Sequence, residues 1–252
     1  MKFATIPPIA NCRLALQGDF LFALAQYVNE DNKDYVEFFK KYSTSTTVYI
    51  DNGVAEHQRI SHEELINRAH QINARVIICP DELHNRIKTV SLIEEFISIL
   101  SPAELRKFTL MAVPHGNSSS DYLECYHNIQ EQGVIHFFGL SKFDVPEHFR
   151  DRIKCYTRLK NSSHREDRFH LLGFIKDFTE YKFFAKRGDV ISCDSCVLVE
   201  AALHKQRLEL IKSPLYTRIP YTSEYFKHNM TVDEVRIASH NIKEFSKLIA
   251  TQ

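Results

Sequence analysis

Three short apolar runs end on an aspartate: "VYID" on Asp51, "IICPD" on Asp81 and "VISCD" on Asp194. A fourth, "MAVPH", ends on His115. Two carboxylates on either side of a sugar are the usual equipment for breaking a glycosidic bond, one attacking or stabilising the anomeric carbon while the other moves protons. An aspartate at a strand end also commonly caps the following helix. Asp81, directly after Pro80, has the placing of a turn residue. His115 beside Gly116 suits either a ligand contact or an exposed turn. Asp194 sits between Cys193 and Cys196, a spacing that fits a metal knuckle or a redox pair, but cysteines 12, 79, 125 and 155 are scattered and supply no partners. If the run is a strand, Cys193 and Asp194 point to opposite sides. Asp194 is then the residue with chemistry, and the two cysteines are packing.

Residues so far apart in sequence need a frame that gathers strand ends. Runs rich in β-branched and aromatic residues recur at "KFATI", "TTVYI", "ARVIIC", "FTLMAV", "VIHFFG", "FHLLGF" and "DVISC". Helix-period segments lie between them. "SHEELINRAHQIN" opens on Ser61 with Glu64 three residues on, the pattern of a capping box, and "SLIEEFISIL" carries a helical apolar stripe. Near-continuous apolar strands alternating with helices indicate a parallel sheet covered on its faces, either a (β/α)8 barrel or an open doubly wound sheet. No G-x-G-x-x-G or P-loop is present for the open sheet. In a barrel all the polar strand ends converge on one mouth. The expectation is an α/β fold, a (β/α)8 TIM-type barrel spanning residues 1–252 as a single catalytic domain. Seven strands are legible. The eighth is either "LYTRIPY" (215–221) or a strand hidden between "KFATI" and "TTVYI".

The composition is that of an ordinary globular chain, 44% hydrophobic and 25% charged. No apolar run approaches the roughly 18 residues of a membrane span. The N-terminal stretch lacks the apolar core of a secretory signal. A cytoplasmic location and no membrane partner are expected, with the cysteines reduced. The net charge of zero conceals an asymmetry: residues 1–149 hold 13 Lys/Arg against 19 Asp/Glu, and residues 150–230 hold 16 against 10. Within the basic part, "RDRIKCYTRLKNSSHREDR" mixes Arg, Lys and Tyr as a phosphate-tracking surface does, although such a stretch also makes a solvated helix. Arg150, Arg152, Lys154, Arg158, Lys160 and Arg165 are the candidate nucleic-acid backbone contacts.

Several of these stretches together resemble the tRNA-guanine transglycosylase family. "YIDNGVAE" is similar to its D-S-G-(G/A)-F-(Q/E) motif, "DVISCDS" to its D-x-F-D-(C/S) strand, "VIHFFGLSK" to its I-G-G-L strand and "RFHLLGF" to its R-Y-L-M-G-(V/I) strand. "ASHNIKEFSKLI" looks like its H-N-L-x-x-(F/Y)-x-x-L-(M/I) helix. Order and approximate spacing are kept from residue 46 to the end. The resemblance implies a barrel that exchanges a base in nucleic acid, with Asp194 as nucleophile at C1′, Asp51 as acid/base group and Asp81 as a contact to the base. His115, Asn52, Gly139 and Gly173, at neighbouring strand ends, complete the expected base-binding set.

The departures are equally specific. The family's structural zinc uses a C-x-C-x-x-C run and the histidine of the H-N helix. Here His240 stands at that histidine's place, but no cysteine follows Cys196. One histidine cannot build a closed four-ligand site, so no metal and no cofactor are expected, and His240 is read as a packing or capping residue. The family's V-Q-G-G stretch is "VPHG", and the second glycine of I-G-G-L is Phe138. The expected target is therefore a modified or non-guanine base, in DNA rather than tRNA, released by a glycosylase. The alternatives are base exchange with a 7-deazaguanine-type base, an inactive nucleic-acid-binding partner subunit, and a hydrolase of free nucleosides. A compact base-cutting enzyme would suit a conflict between a host and a virus with modified DNA.

Overall fold

The computed structural model describes residues 1–54, 58–142, 152–162, 166–173, 178–211 and 224–250. Its eight strands are β1 (Lys2–Thr5), β2 (Leu21–Leu24), β3 (Val48–Asp51), β4 (Val76–Ile78), β5 (Thr109–Ala112), β6 (Phe137–Leu140), β7 (Phe169–Leu171) and β8 (Val190–Ser195). All pair in parallel, in the order β1-β8-β7-β6-β5-β4-β3-β2. The result is the nearly closed (β/α)8 barrel that the alternation implies. The eighth strand is β2, inside the gap between "KFATI" and "TTVYI"; "LYTRIPY" lies outside the described residues.

Helices alternate with the strands. They are α1 (Lys33–Tyr42), α2 (His62–Gln71), α3 (Arg86–Ile99), α4 (Pro102–Lys107), α5 (Ser119–Glu131), α6 (Arg152–Ser162), α7 (Phe178–Phe184), α8 (Val197–Leu203), α9 (Leu208–Ile211), α10 (Glu224–Lys227) and α11 (Val232–Ala250). Ser61 caps α2, its hydroxyl accepting the Glu64 N–H at 3.1 Å, but the Glu64 carboxylate turns to Arg68 instead of closing the box. The reciprocal capping box forms at Ser101 and Glu104 of α4. There the Ser101 and His70 hydrogen bonds hold the Glu104 carboxyl down at about 2.

The barrel closes at the β1–β2 seam without a strand ladder. The Asp19 N–H donates to the Phe3 carbonyl at 2.7 Å, and the Asp19 carboxylate accepts the Phe3 N–H at 2.8 Å. Gly18 makes this approach possible: a Cβ there would stand 2.8 Å from the Phe3 carbonyl oxygen. The edge N–H of Leu24 is covered by the Tyr35 hydroxyl at 3.0 Å, so the seam leaves no exposed donor at that point.

Alternation along each strand sorts side chains into two layers. Phe20, Phe22, Tyr49 and Phe137 face inward, with Tyr49 4.3 Å from Phe20 and 6.1 Å from Phe137 between ring centroids. Phe138 and Phe169 face the helices instead, against Tyr126 of α5 and Tyr156 of α6. The Phe138 ring therefore lies outside the barrel, and Gly139, like Phe137, faces in. Among the described residues no helix is long and apolar enough to cross a membrane.

Candidate active site

The inward parity that places Tyr49 also places the residues at the carboxyl ends of the strands. Asp51 follows Tyr49 by two residues, and Asp194 follows Ser192 by two, so each aspartate continues the inward row of its strand toward the mouth. Asp194 is 3% exposed. Its Oδ1 receives His170 Nε2 at 2.9 Å, and both carboxylate oxygens share the Gly173 N–H at 3.2 Å. Among the described residues Oδ2 thus carries a single long hydrogen bond. Asp51 is half-buried.

His170 is wholly buried in the middle of β7, ringed by Phe20, Phe22 and Tyr49 at 5.9 to 6.1 Å between centroids. Its Nδ1 meets the Ser192 hydroxyl at 2.8 Å, and Ser192 in turn stands beside the Tyr49 phenol. A carboxylate can only accept from the ring, so Nε2 donates to Asp194, and Nδ1 faces the Ser192 hydroxyl. Burial, only partly offset by Ser192, pushes the Tyr49 phenol up, so the far end of this chain is neutral. The row Tyr49–Ser192–His170–Asp194 is a buried polar line in an aromatic barrel interior, with the carboxylate at its outer end.

A second network stands over the neighbouring strands. Asn52 Nδ2 donates to the Cys79 carbonyl at 2.7 Å and to Asp81 Oδ1 at 3.1 Å, while Asp81 Oδ2 meets His115 Nε2 at 2.9 Å. All three residues are more than nine-tenths buried. Asn52 also accepts the Val54 N–H at 3.0 Å, which fixes its amide and leaves Nδ2 toward Asp81. Asn52, Asp81 and His115 thus come together as one hydrogen-bonded group. Gly139 pairs with His170 across β6 and β7, but the space a Cβ would take is filled by Leu172 and Val113 side-chain atoms at 2.9 Å. Gly173 contributes its N–H to Asp194 from a left-handed φ of +60°.

The basic stretch resolves differently from a phosphate-tracking surface. In α6 the residues Arg152, Cys155, Tyr156 and Leu159 form the buried stripe. Arg152 is 2% exposed and its guanidinium grips the Glu180 carboxylate with two 2.8 Å bonds, so it cannot meet a phosphate. Lys160 pairs at 2.9 Å with Asp189, just before β8 begins. That is the opposite end of the strand from Asp194, roughly 17 Å away at about 3.3 Å per residue. Lys154 and Arg158 are exposed on α6. Arg150 and Arg165 lie outside the described residues.

All six cysteines are free thiols. Cys193 points away from the site, toward the Lys2 carbonyl at 3.6 Å. Burial, reinforced by the adjacent Asp194 charge, pushes its thiol well above the usual value, and burial raises the Cys125 thiol to about 12. Such groups stay protonated and are poor nucleophiles and poor metal ligands. Among the described residues no three His, Cys, Asp or Glu side chains stand together as a metal site would require. His240 is partly exposed and faces Glu209 at 3.4 Å. Its neighbour Asn241 does the structural work, donating to the Leu198 and Gln206 carbonyls at 3.0 Å and accepting the Leu208 N–H at 2.8 Å.

Sequence reasoning missed His170, Ser192 and Tyr49. A histidine inside "RFHLLGF" reads as one polar residue in an apolar strand, and only the register with β8 reveals its two partners. No protein-family model matches the chain, and no curated protein matches it.

Proposed function

We propose that this protein cleaves the N-glycosidic bond of a base in nucleic acid, DNA in preference to tRNA, and releases a modified base. The observation that carries the reading is the Asp194 carboxylate at the barrel mouth, anchored through Oδ1 by a buried histidine while Oδ2 keeps a lone pair. Asp51 continues the inward row of another strand at the same mouth. The motif resemblance to the tRNA-guanine transglycosylases supports the same assignment of roles.

In this reading Asp194 Oδ2 attacks C1′ as the C1′–N bond breaks, and the bonding pair leaves with the base, which takes a proton from Asp51. Water then attacks C1′, gives its proton back to Asp51 and frees the Asp194 carboxylate. His170 and Gly173 hold the carboxylate so that the attacking oxygen is not lost to rotation about χ2. The Asn52–Asp81–His115 group presents a polar edge to a base extruded from the duplex. Lys154 and Arg158 are the exposed candidates for phosphate contact. An incoming base in place of water would give exchange from the same intermediate.

The test is incubation with duplex and single-stranded DNA carrying natural or hypermodified bases, with mass spectrometry of small molecules and of the strands. Free base with abasic strands is the expected result. Intact strands with a replaced base would show exchange. Absence of both, on DNA and on tRNA, would overturn the proposal. Survival of viruses with modified DNA in expressing cells would count against a role in virus–host conflict.

A further inference from the structure

The peptide unit joining Leu172 to Gly173 is held at both of its polar ends. Its carbonyl oxygen accepts from Arg152 Nη1 at 2.5 Å, and its N–H donates to both Asp194 oxygens at 3.2 Å. The same Nη1 reaches the carbonyl of Leu140, the last residue of β6, at 3.2 Å, while Nε and Nη2 fork onto Glu180 of α7. One guanidinium therefore ties together α6, α7, the end of β6 and the turn after β7.

Stability alone is a poor reason for this arrangement. The Arg152 and Glu180 side chains are 2% and 8% exposed, and a buried ion pair is often matched or bettered in stability by apolar residues of similar volume. What the pair supplies is direction. Gly173 has φ +60°, a conformation open to glycine but without a preferred orientation to enforce, so the plane needs an external hold to keep its N–H on Asp194. A cation on the carbonyl end also polarises the peptide and strengthens the N–H as a donor.

We infer that Arg152, held by Glu180, is a positioning residue for Asp194 that acts through the Leu172–Gly173 peptide. Its catalytic consequence rests on the proposed role of Asp194; the mechanical link does not. Lysine cannot replace it, because a point charge cannot span the carbonyls and the Glu180 fork at once.

The test reads the Gly173 amide by NMR of the full chain. In the otherwise native protein Asp194→Asn should move the Gly173 amide proton upfield as the charge-assisted bond weakens. R152M/E180M, which leaves no orphaned charge, should produce the same upfield shift, and adding D194N to it should move the resonance little further. Arg152→Lys gives the same comparison if the double variant does not fold. On a DNA substrate that the native protein cleaves, kcat should fall about tenfold to a hundredfold with KM held, the loss expected for a hydrogen bond to a charged group. A folded R152M/E180M protein with the native Gly173 resonance overturns the inference. If the resonance responds while the native protein releases no base, the link stands and the glycosidic reading falls. If base is released but Gly173 ignores Arg152, the reverse holds.

Discussion

Glu200 lies in α8, the helix that follows the site strand, and only 3% of its surface is exposed. Its Oε2 has no hydrogen-bond partner among the described residues. Burial raises its carboxyl from 4.5 to about 7. At about 1.4 kcal/mol per pH unit, that rise amounts to a ceiling of about 3 kcal/mol, reduced in practice by water reaching the carboxylate through local opening. The sign follows from proton counting. Between pH 4.5 and 7 the folded protein holds a proton that the unfolded chain has released, so unfolding free energy falls as pH rises through this window, and the full penalty is present above it. Glu200→Gln keeps the shape and removes the charge. Any cost of the buried amide is equal at both pH values and cancels in the difference. Urea unfolding of both proteins at about pH 5 and pH 8.5 should show the variant gaining about 1–3 kcal/mol relative to the native protein on going to the higher pH. Equal differences at the two pH values would refute the claim that a buried, pH-dependent charge resides at Glu200.

Other perturbations follow from the same geometry. His170→Phe keeps a ring among Phe20, Phe22 and Tyr49 but removes the donor to Asp194 and the partner of Ser192; base release in single-turnover assays should drop about tenfold to a hundredfold, and an unchanged rate would deny His170 its part. Gly18→Ala puts a Cβ 2.8 Å from the Phe3 carbonyl and should cost about 1–3 kcal/mol in thermal unfolding; a neutral result would mean that the seam can open at no cost. Asp51→Asn should abolish release of bases that leave poorly while sparing ones that leave as stable anions, a contrast read from rates on the two leaving-group classes.

The strands were legible where burial on both faces makes them near-continuous apolar runs, as at "VIICP" and "FFGL". β2 was not, because "LALQGDFLFALAQY" carries apolar residues at both helical and strand spacings, and its true boundary is the close approach of Gly18 to β1, a tertiary event. Asp51 and Asp194 could be singled out since a polar residue closing an apolar strand is rare enough to notice. His170 could not, because its meaning comes from parity with Ser192 and Asp194 across a sheet register. Arg152 shows how far charge alone misleads. Its i, i+3, i+4, i+7 relation to Cys155, Tyr156 and Leu159 does assign it to the buried face of α6, but the partner that makes such burial tolerable, Glu180, is 28 residues away. Phe138 stands where the resemblance places a glycine, but strand alternation sends its ring to α5 and leaves Gly139 facing inward.

The central claim is that the Asp194 carboxylate breaks a base–sugar bond. Its most direct measurement is mass spectrometry of the bases released from a panel of natural and hypermodified DNAs by the native protein and by Asp194→Asn, the latter checked for an unchanged fold by circular dichroism. Release of one base class by the native protein, lost in the variant, is the predicted result. Undiminished release by folded Asp194→Asn would contradict it.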